Sequence, residues 1–215
     1  MKDLIIVGAG GFGREVLAWA RESAGEWLVK GFLDDNPRAL DGFGGDLPPI
    51  LGAVAVYRPR PRDAFVCAMG QIESKRRCVG LVRANGGVFT NVIHATAVHS
   101  RRARLGMGVI LCPYSIVSPD VELGDFVTVN LHSTVSHDSV VGRWSQLHCH
   151  VDITGGVTLG EGVLVGSHAS VLPRLKVGAG AVVGAGSIVV RDVAPGVTVF
   201  GVPARPYVVK PRPHA

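Results

Sequence analysis

His137 and Asp138 are adjacent in STVSHDSVVG, a stretch of otherwise small and β-branched residues. An imidazole can take the proton from an amine or hydroxyl that attacks a carbonyl carbon, and a neighbouring carboxylate favours the imidazolium that results. The pair is therefore a candidate general base with a supporting acid. A surface turn could carry the same two residues for solubility alone, so the choice depends on the elements around them.

A glycine-rich motif, GAGGFG at 8–13, is the second place with recognisable chemistry. Gly8, Gly10 and Gly13 satisfy G-x-G-x-x-G between an apolar run and an amphipathic stretch, and the N–H groups at such a helix start can hold a phosphate. Asp34 ends the next apolar run, where a carboxylate could bond a ribose or a base. The motif predicts a nucleotide site; a redox dinucleotide such as NAD and a purely structural turn are the alternatives.

The chain before residue 93 alternates between strand-like and helix-like patterns. Apolar runs at DLIIV, LVKGFL and DAFVCAMG predict strands, and REVLAWARES and IESKRRCVGLVRANG predict helices, the second closed by Gly86 in a left-handed conformation. This order predicts an α/β, Rossmann-like βαβ domain with a parallel sheet over residues 1–92. A full dinucleotide fold needs two such halves, so a nucleotide-sugar is favoured over NAD as the ligand.

From Leu105 onward an aliphatic residue stands at every sixth position as far as Val189. Four positions after each of these anchors the residue is nearly always small or β-branched, as at Ser115 and Ser133. Glycine follows the anchor every eighteen residues, at Gly106, Gly124, Gly142, Gly160 and Gly178. Short strands joined by tight corners, three to a coil, explain both periods, so residues 93–215 are expected to form an all-β parallel β-helix with a C-terminal tail.

The repeat pattern resembles that of the hexapeptide-repeat transferases, whose fold is a left-handed parallel β-helix that usually trimerises. The whole chain is similar to the bacterial nucleotide-sugar N-acetyltransferases, relatives of the UDP-4-amino-sugar, perosamine and sialic-acid acetyltransferases. The pieces that carry this resemblance are IIVGAGGFGREV, FLDD, AMG, SHDSVVG, GVTLGEGVLVGSHASVLPRLKVGAGAVVGAGSIVVRDV and the terminal GVPA.

The resemblance implies acetyl transfer from acetyl-CoA to the amine of a nucleotide-linked amino-deoxy sugar, expected to be a 4-amino-4,6-dideoxy sugar of surface glycan or O-antigen (lipopolysaccharide) biosynthesis. It places His137 as general base and Asp138 as the acid that raises its basicity. The nucleotide sugar would be bound by Gly10, Gly11, Phe12, Asp34, Asp35 and Gly70. Acetyl-CoA would lie along the solenoid between the subunits of a homotrimer, at Gln146, Gly155, Ser167 and Ala185.

Gln146 departs from the family, which commonly has a second histidine near the acetyl group at this position. An amide can donate a hydrogen bond to the thioester carbonyl, but it cannot carry a proton away. A backbone N–H around Gly155 is the alternative source of stabilisation for the oxyanion.

Composition excludes several other classes. The 215 residues hold no apolar run near the roughly 18 residues that a spanning helix needs, and the N-terminus lacks the features of a signal peptide, so no membrane insertion is expected. Four cysteines without CxxC spacing fit a reducing cytoplasm. The net charge of +5 comes from scattered basic residues among only 6% aromatic residues, which favours small phosphorylated ligands over nucleic acid.

The remaining histidines raise the main competing interpretation, which is a metal site. His132, His150 and His168 recur every eighteen residues with Tyr114 ahead of them, so they should stack about 4.8 Å apart along one corner. Parallel side chains do not converge on one point, so no metal is expected.

A carbonic anhydrase with the solenoid fold would also have two histidines five apart, like His132 and His137, but Thr96 stands where its third ligand belongs, with His94 and His99 out of phase. Sugar or sialic-acid O-acetylation and a non-catalytic nucleotide-binding scaffold remain alternatives. A nucleophilic Cys149 is disfavoured, because its spacing from His137 puts it on another face of the coil.

Overall fold

The computed structural model describes residues 2–23 and 27–207. Its N-terminal strands are β1 (Lys2–Val7), β2 (Trp27–Leu33), β3 (Ile50–Gly52) and β4 (Asp63–Cys67), and its helices are α1 (Gly11–Arg21) and α2 (Ile72–Ala84). Over the described ranges the four strands form one parallel sheet in the order β3-β2-β1-β4. The predicted Rossmann-like βαβ arrangement is confirmed, and the short edge strand β3 is an addition that the sequence pattern did not predict.

Strand β1 lies between β2 and β4, and its side chains alternate between two cores. Leu4 and Ile6 pack with the apolar side of α1, whereas Ile5 and Val7 pack with that of α2. The two helices therefore cover opposite faces of the sheet. Gly86 follows α2 with a φ of +85°, and its N–H donates to the carbonyl of Arg83, which confirms the predicted left-handed residue at this helix end.

The glycine loop joins β1 to α1 by a turn that needs glycine at both ends. Gly8 has a φ of +101°, and a Cβ on Gly13 would lie 1.9 Å from the carbonyl oxygen of Gly8. The first turn of α1 thus packs against the end of β1 at a distance that no side chain permits. In contrast, a Cβ on Gly10 or Gly11 would have no atom within 4 Å.

The rest of the described chain winds as a parallel β-helix of short strands. These strands are β5 (Val92–Ile93), β6 (Val98–His99), β7 (Arg104–Leu105), β8 (Ile110–Leu111), β9 (Ile116–Val117), β10 (Glu122–Leu123), β11 (Thr128–Val129), β12 (Thr134–Val135), β13 (Val140–Val141), β14 (Gln146–Leu147), β15 (Asp152–Ile153), β16 (Thr158–Leu159), β17 (Leu164–Val165), β18 (Ser170–Val171), β19 (Lys176–Val177), β20 (Val182–Val183), β21 (Ile188–Val189), β22 (Thr198–Phe200) and β23 (Arg205–Pro206). Strands β5 to β22 pair in parallel with the strand a full coil away, as Thr134 does with Asp152 at a separation of 18 residues, and β23 pairs antiparallel with β22. The predicted left-handed hexapeptide-repeat fold is confirmed.

Within the described residues the coil has three faces. The β7 face consists of β7, β10, β13, β16 and β19; the β5 face of β5, β8, β11, β14, β17, β20, β22 and β23; and the β6 face of β6, β9, β12, β15, β18 and β21. The sixth-position aliphatic anchors from Leu111 to Val189 are buried inside the coil. Serines four positions later, such as Ser133, are also buried and bond the next coil: the hydroxyl of Ser133 donates to the carbonyl of His148 and accepts from the N–H of Val151.

Non-glycine residues in the left-handed region form many of the corners, with φ from +56° at His132 to +68° at Trp144. They are Tyr114, Asp120, Phe126, His132, Asp138, Trp144, His150, His168 and Arg174. This conformation costs an L-residue about 1–2 kcal/mol. Stacking between coils offsets part of that cost, since the rings of Phe126 and Trp144 lie 4.5 Å apart and nearly parallel.

The N-terminal sheet and α2 lie against the β5 face and the corner that carries Phe126. Phe89 meets Phe126 edge-on at 5.1 Å, and Val92 and Ile110 share a core with Leu4. The predicted boundary between residues 92 and 93 falls inside β5, and it stays a prediction.

We expect Gly13→Ala to destabilise the fold by about 1–3 kcal/mol, because the new Cβ would force β1 and α1 apart. The free energy of unfolding in urea measures this change. Gly80→Ala is the control, since Gly80 lies on the exposed side of α2 with open space around its Cβ. Equal stability of the two variants would contradict the assigned packing.

Candidate functional site

His137 and Asp138 form the corner between β12 on the β6 face and β13 on the β7 face. Nδ1 of His137 lies 2.7 Å from Oδ2 of Asp138, and about two thirds of each side chain is exposed. A carboxylate can only accept here, so Nδ1 carries a proton, and in the neutral ring Nε2 then has the free lone pair. The two side chains are therefore in direct contact, and their roles as base and acid stay a prediction.

The imidazole of His137 rests over Gly155 in the next coil. A Cβ on Gly155 would lie 2.8 Å from both Cε1 and Nε2 of the ring, and the N–H of Gly156 donates to the carbonyl of His137. Together with Pro173 and Arg174 these residues line an open pocket of about 350 Å³. The absence of a side chain on Gly155 is what leaves room for the ring.

A second pocket lies over the glycine loop, at the carboxyl ends of β1 and β4. It is lined by Gly8, Gly10, Gly11, Phe12, Asp34, Ala68, Met69, Gly70, Gln71 and Ser74. Asp34 fixes the loop, because its Oδ2 accepts from the N–H of Ala9 at 2.8 Å. The free N–H groups at the start of α1 give this pocket the character of an anion site.

Asp35 alone among the six predicted sugar-nucleotide residues is absent from the described lining of this pocket. Its Oδ1 accepts from the N–H of Val54, and Oδ2 lies 3.6 Å from a guanidinium nitrogen of Arg77. Asp35 therefore holds the chain that follows β3, while Gly10, Gly11, Phe12, Asp34 and Gly70 face the pocket.

Gln146, Ser167 and Ala185 lie on another side of the coil from His137. Gln146 is on the β5 face, and Ser167 and Ala185 are at the corner between the β5 and β6 faces. The amide nitrogen of Gln146 donates to the carbonyl of Gly70 at 2.8 Å, so this residue touches the glycine-loop pocket rather than His137. Of the predicted acetyl-CoA residues, Gly155 shares the His137 pocket and the other three do not.

Two residues near these pockets were missed by the sequence analysis. Lys75 lies on the inner side of α2 and is fully buried, and this burial lowers the pKa of its amine to about 8. Its spacing from Ile72, Val79 and Val82 was the available signal, since it puts Lys75 on the apolar side of the helix. Arg174 could have been found from the eighteen-residue period, which puts it in the same corner column as Asp138.

The predicted column of rings is confirmed. Tyr114, His132, His150 and His168 stack with centroid separations of 5.0, 5.0 and 4.6 Å, and all four are exposed. Among the described residues, no group of three or more His, Cys, Asp or Glu side chains is arranged to hold a metal ion. His132 and His137 stand at different corners of the coil.

The free thiol of Cys149 is partly buried, and burial raises the pKa of that thiol, as does the nearby Glu15. A protonated thiol is a poor nucleophile, so acyl transfer through Cys149 is disfavoured. Neither helix of the described chain is long and apolar enough to cross a bilayer.

Known proteins match both the N-terminal part and the overall fold of this chain. Residues 3–81 match the PglD N-terminal domain family. The structure is similar to PerB from Caulobacter crescentus in complex with CoA and GDP-perosamine, with 28% identity, a TM-score of 0.87 and coverage of 97% of this chain and 98% of that chain. A mutant of the GDP-perosamine N-acetyltransferase from that organism matches with 27% identity, a TM-score of 0.87 and the same coverage.

The acetyltransferase domain of PglB from Neisseria gonorrhoeae, in complex with acetyl coenzyme A, is 27% identical, with a TM-score of 0.86 over 96% of this chain and 99% of that chain. Comparison with curated protein sequences gave no match. The two-part fold, the match of its N-terminal part and these similarities over nearly the whole length agree. The chain therefore carries a match to the PglD N-terminal domain family and is similar over nearly its whole length to a perosamine N-acetyltransferase and to an acetyltransferase domain, which were solved with CoA or acetyl coenzyme A.

Proposed function

We propose that this chain acetylates the amine of a nucleotide-linked 4-amino-4,6-dideoxy sugar, with His137 as general base and Asp138 as its supporting acid. The observation that carries the proposal is the 2.7 Å contact between Nδ1 of His137 and Oδ2 of Asp138, beside an open pocket. Nε2 then takes the proton of the sugar amine as its nitrogen attacks the thioester carbonyl. We place the reaction in the cytoplasm, which the free cysteines fit.

The carboxylate of Asp138 stabilises the imidazolium of His137 that forms in this step. The tetrahedral intermediate collapses with cleavage of the C–S bond, and the imidazolium returns its proton to the leaving thiolate of CoA. The amide product and CoA thiol then account for every proton. Because the N–H of Gly156 is already donated to the carbonyl of His137, the N–H of Gly155 is the candidate donor to the oxyanion.

The glycine-loop pocket is suited to the diphosphate of the sugar nucleotide. Gly10 and Gly11 present open backbone at the start of α1, where N–H groups and the helix dipole favour an anion. PerB was crystallised with GDP-perosamine and CoA, a substrate pair of the kind proposed here. Asp34 shapes this pocket through its hydrogen bond to the loop. This contact does not select one nucleotide base over another.

The two pockets share no lining residue in the described chain. His137 lies at the corner between the β6 and β7 faces, whereas the glycine-loop pocket is tied to the β5 face through Gln146. A sugar amine bound in one pocket reaches the base most directly if that base belongs to another copy of the chain. We therefore propose a cyclic homotrimer whose sites lie between subunits, with acetyl-CoA along their junction.

We expect His137→Ala to lower kcat by about 10²- to 10⁴-fold with little change in either KM, because the variant loses only the proton acceptor. CoA thiol release with acetyl-CoA and a panel of GDP-, UDP- and dTDP-linked 4-amino sugars measures the rate. His99→Ala, which removes another exposed histidine, should keep wild-type activity.

Asp138→Asn should reduce kcat less than His137→Ala, since an amide oxygen still accepts from Nδ1 but stabilises the imidazolium poorly. Near-normal kcat in a folded His137→Ala variant would refute the assignment of the base. A wild-type chain that releases no thiol with any sugar would favour the binding scaffold.

Gly155→Ala should lower kcat by about tenfold or more, because its methyl group would occupy the space of the His137 ring and move the base. Thermal unfolding followed by circular dichroism shows whether the β-helix stays intact. Unchanged kcat would mean that the ring can work from another position.

Gly11→Val should raise KM for the sugar nucleotide by about tenfold or more and leave KM for acetyl-CoA unchanged, because the side chain would fill open space at the helix start. Gly80→Val makes the same change on the exposed side of α2 and is the control. Parallel changes in both KM values would argue against a nucleotide at the glycine loop.

Mixing two variants with complementary defects, assayed at a sugar-nucleotide concentration far below the KM of Gly11→Val, tests the shared site. If His137 of one chain serves the glycine-loop pocket of another, subunits of His137→Ala and Gly11→Val refolded together in equal amounts should regain about a quarter of wild-type sites. Light scattering should report three chains per particle. Mixed particles without recovered activity would place each site within one chain.

A further inference from the structure

The side chain of Gln146, on the β-helix, makes a hydrogen bond to the wall of the glycine-loop pocket. Only 4% of this residue is exposed, and its amide nitrogen donates to the carbonyl of Gly70 at 2.8 Å. Gly70 follows β4 and lines the same pocket as Gly10 and Gly11. One hydrogen bond thus connects the solenoid to the wall of the proposed nucleotide pocket.

The backbone of Gln146 has a fixed position. Strand β14 pairs with Thr128 on one side and Leu164 on the other, and the N–H of Gln146 donates to the carbonyl of Val163 at 2.9 Å. The donor of the bond to Gly70 therefore sits on the rigid ladder, while its acceptor sits on a loop. In such a pair the ladder sets the position of the loop.

A second polar contact fastens the same part of the N-terminal domain. The amine of buried Lys75 donates to the hydroxyl of Thr128 at 3.0 Å and to the carbonyl of Phe126 at 3.3 Å. Lys75 lies in the first turns of α2, and its N–H donates to the carbonyl of Gln71, another residue of the pocket. Both ends of the 70–75 segment are thus tied to neighbouring positions of the β5 face.

We infer that Gln146 is a positioning residue for the sugar-nucleotide pocket, acting through its hydrogen bond to the carbonyl of Gly70. This inference rests on the proposed function for the identity of the ligand. It differs from the cofactor role that the resemblance implies for this position. On this inference Gln146 sets the width of the pocket between Gly70 and Gly11, and substitutions there change affinity for the nucleotide part of the substrate.

The test compares Gln146→Leu with Gln146→Glu. Leucine fills a similar volume without a donor, and should weaken binding of a nucleoside diphosphate about three- to tenfold, the effect of one lost buried hydrogen bond. Glutamate presents an acceptor to the carbonyl of Gly70, and should weaken it more. Thr158→Val, an exposed position on the β7 face, is the control.

Binding of GDP, UDP and dTDP, tested in turn, and of CoA is measured by calorimetry, followed by both KM values. Weaker binding of the nucleoside diphosphate with unchanged CoA affinity supports the inference. A loss of CoA affinity alone, or no change in either, overturns it. Since these affinities need no turnover, a wild-type chain that binds nucleotide but transfers no acetyl group would refute the proposed function and leave this test intact.

Discussion

The backbone ladder between successive coils is the constraint on which the rest of the molecule depends. Parallel pairing at a separation of 18 residues fixes each residue directly beside its counterpart in the next coil, as at Thr134 and Asp152. Aliphatic anchors fill the inside of the triangle, and buried serines bond the coils where the turns leave backbone groups to satisfy. His137 and Gly155 meet because this register places the glycine under the imidazole.

The six-residue period of this ladder is visible in the sequence, because a residue that is not aliphatic at an anchor position would be buried inside the coil and would destabilise it. The stacked column of His132, His150 and His168 followed from the same period. The left-handed corners were not predictable by type: tryptophan, phenylalanine and arginine hold φ values that favour glycine or asparagine in isolation. Contacts across coils decide those positions, and such contacts are not local in the sequence.

Motif spacing also located the two features around which the candidate pockets form. The pairing of His137 with Asp138 and the glycine loop are local features, so adjacent letters were enough to find them. The contacts of Asp35 and Gln146 were harder to predict, because their hydrogen-bond partners Val54 and Gly70 lie 19 and 76 residues away in the sequence. The resemblance assigned Gln146 to the cofactor, and no pattern in the sequence indicated that its amide meets a carbonyl of the other domain.

The triangular coil also bears on the proposed homotrimer, in which two substrates would be held apart and still react. A chain with one glycine-loop domain fastened on the β5 face cannot also place that domain at the corner between the β6 and β7 faces, since the rigid ladder lies between them. Around a three-fold axis, however, one side of each coil faces a different side of its neighbour. In the proposed homotrimer, the separation of Gln146 from His137 within one chain is the geometry that would let neighbouring subunits complete each site.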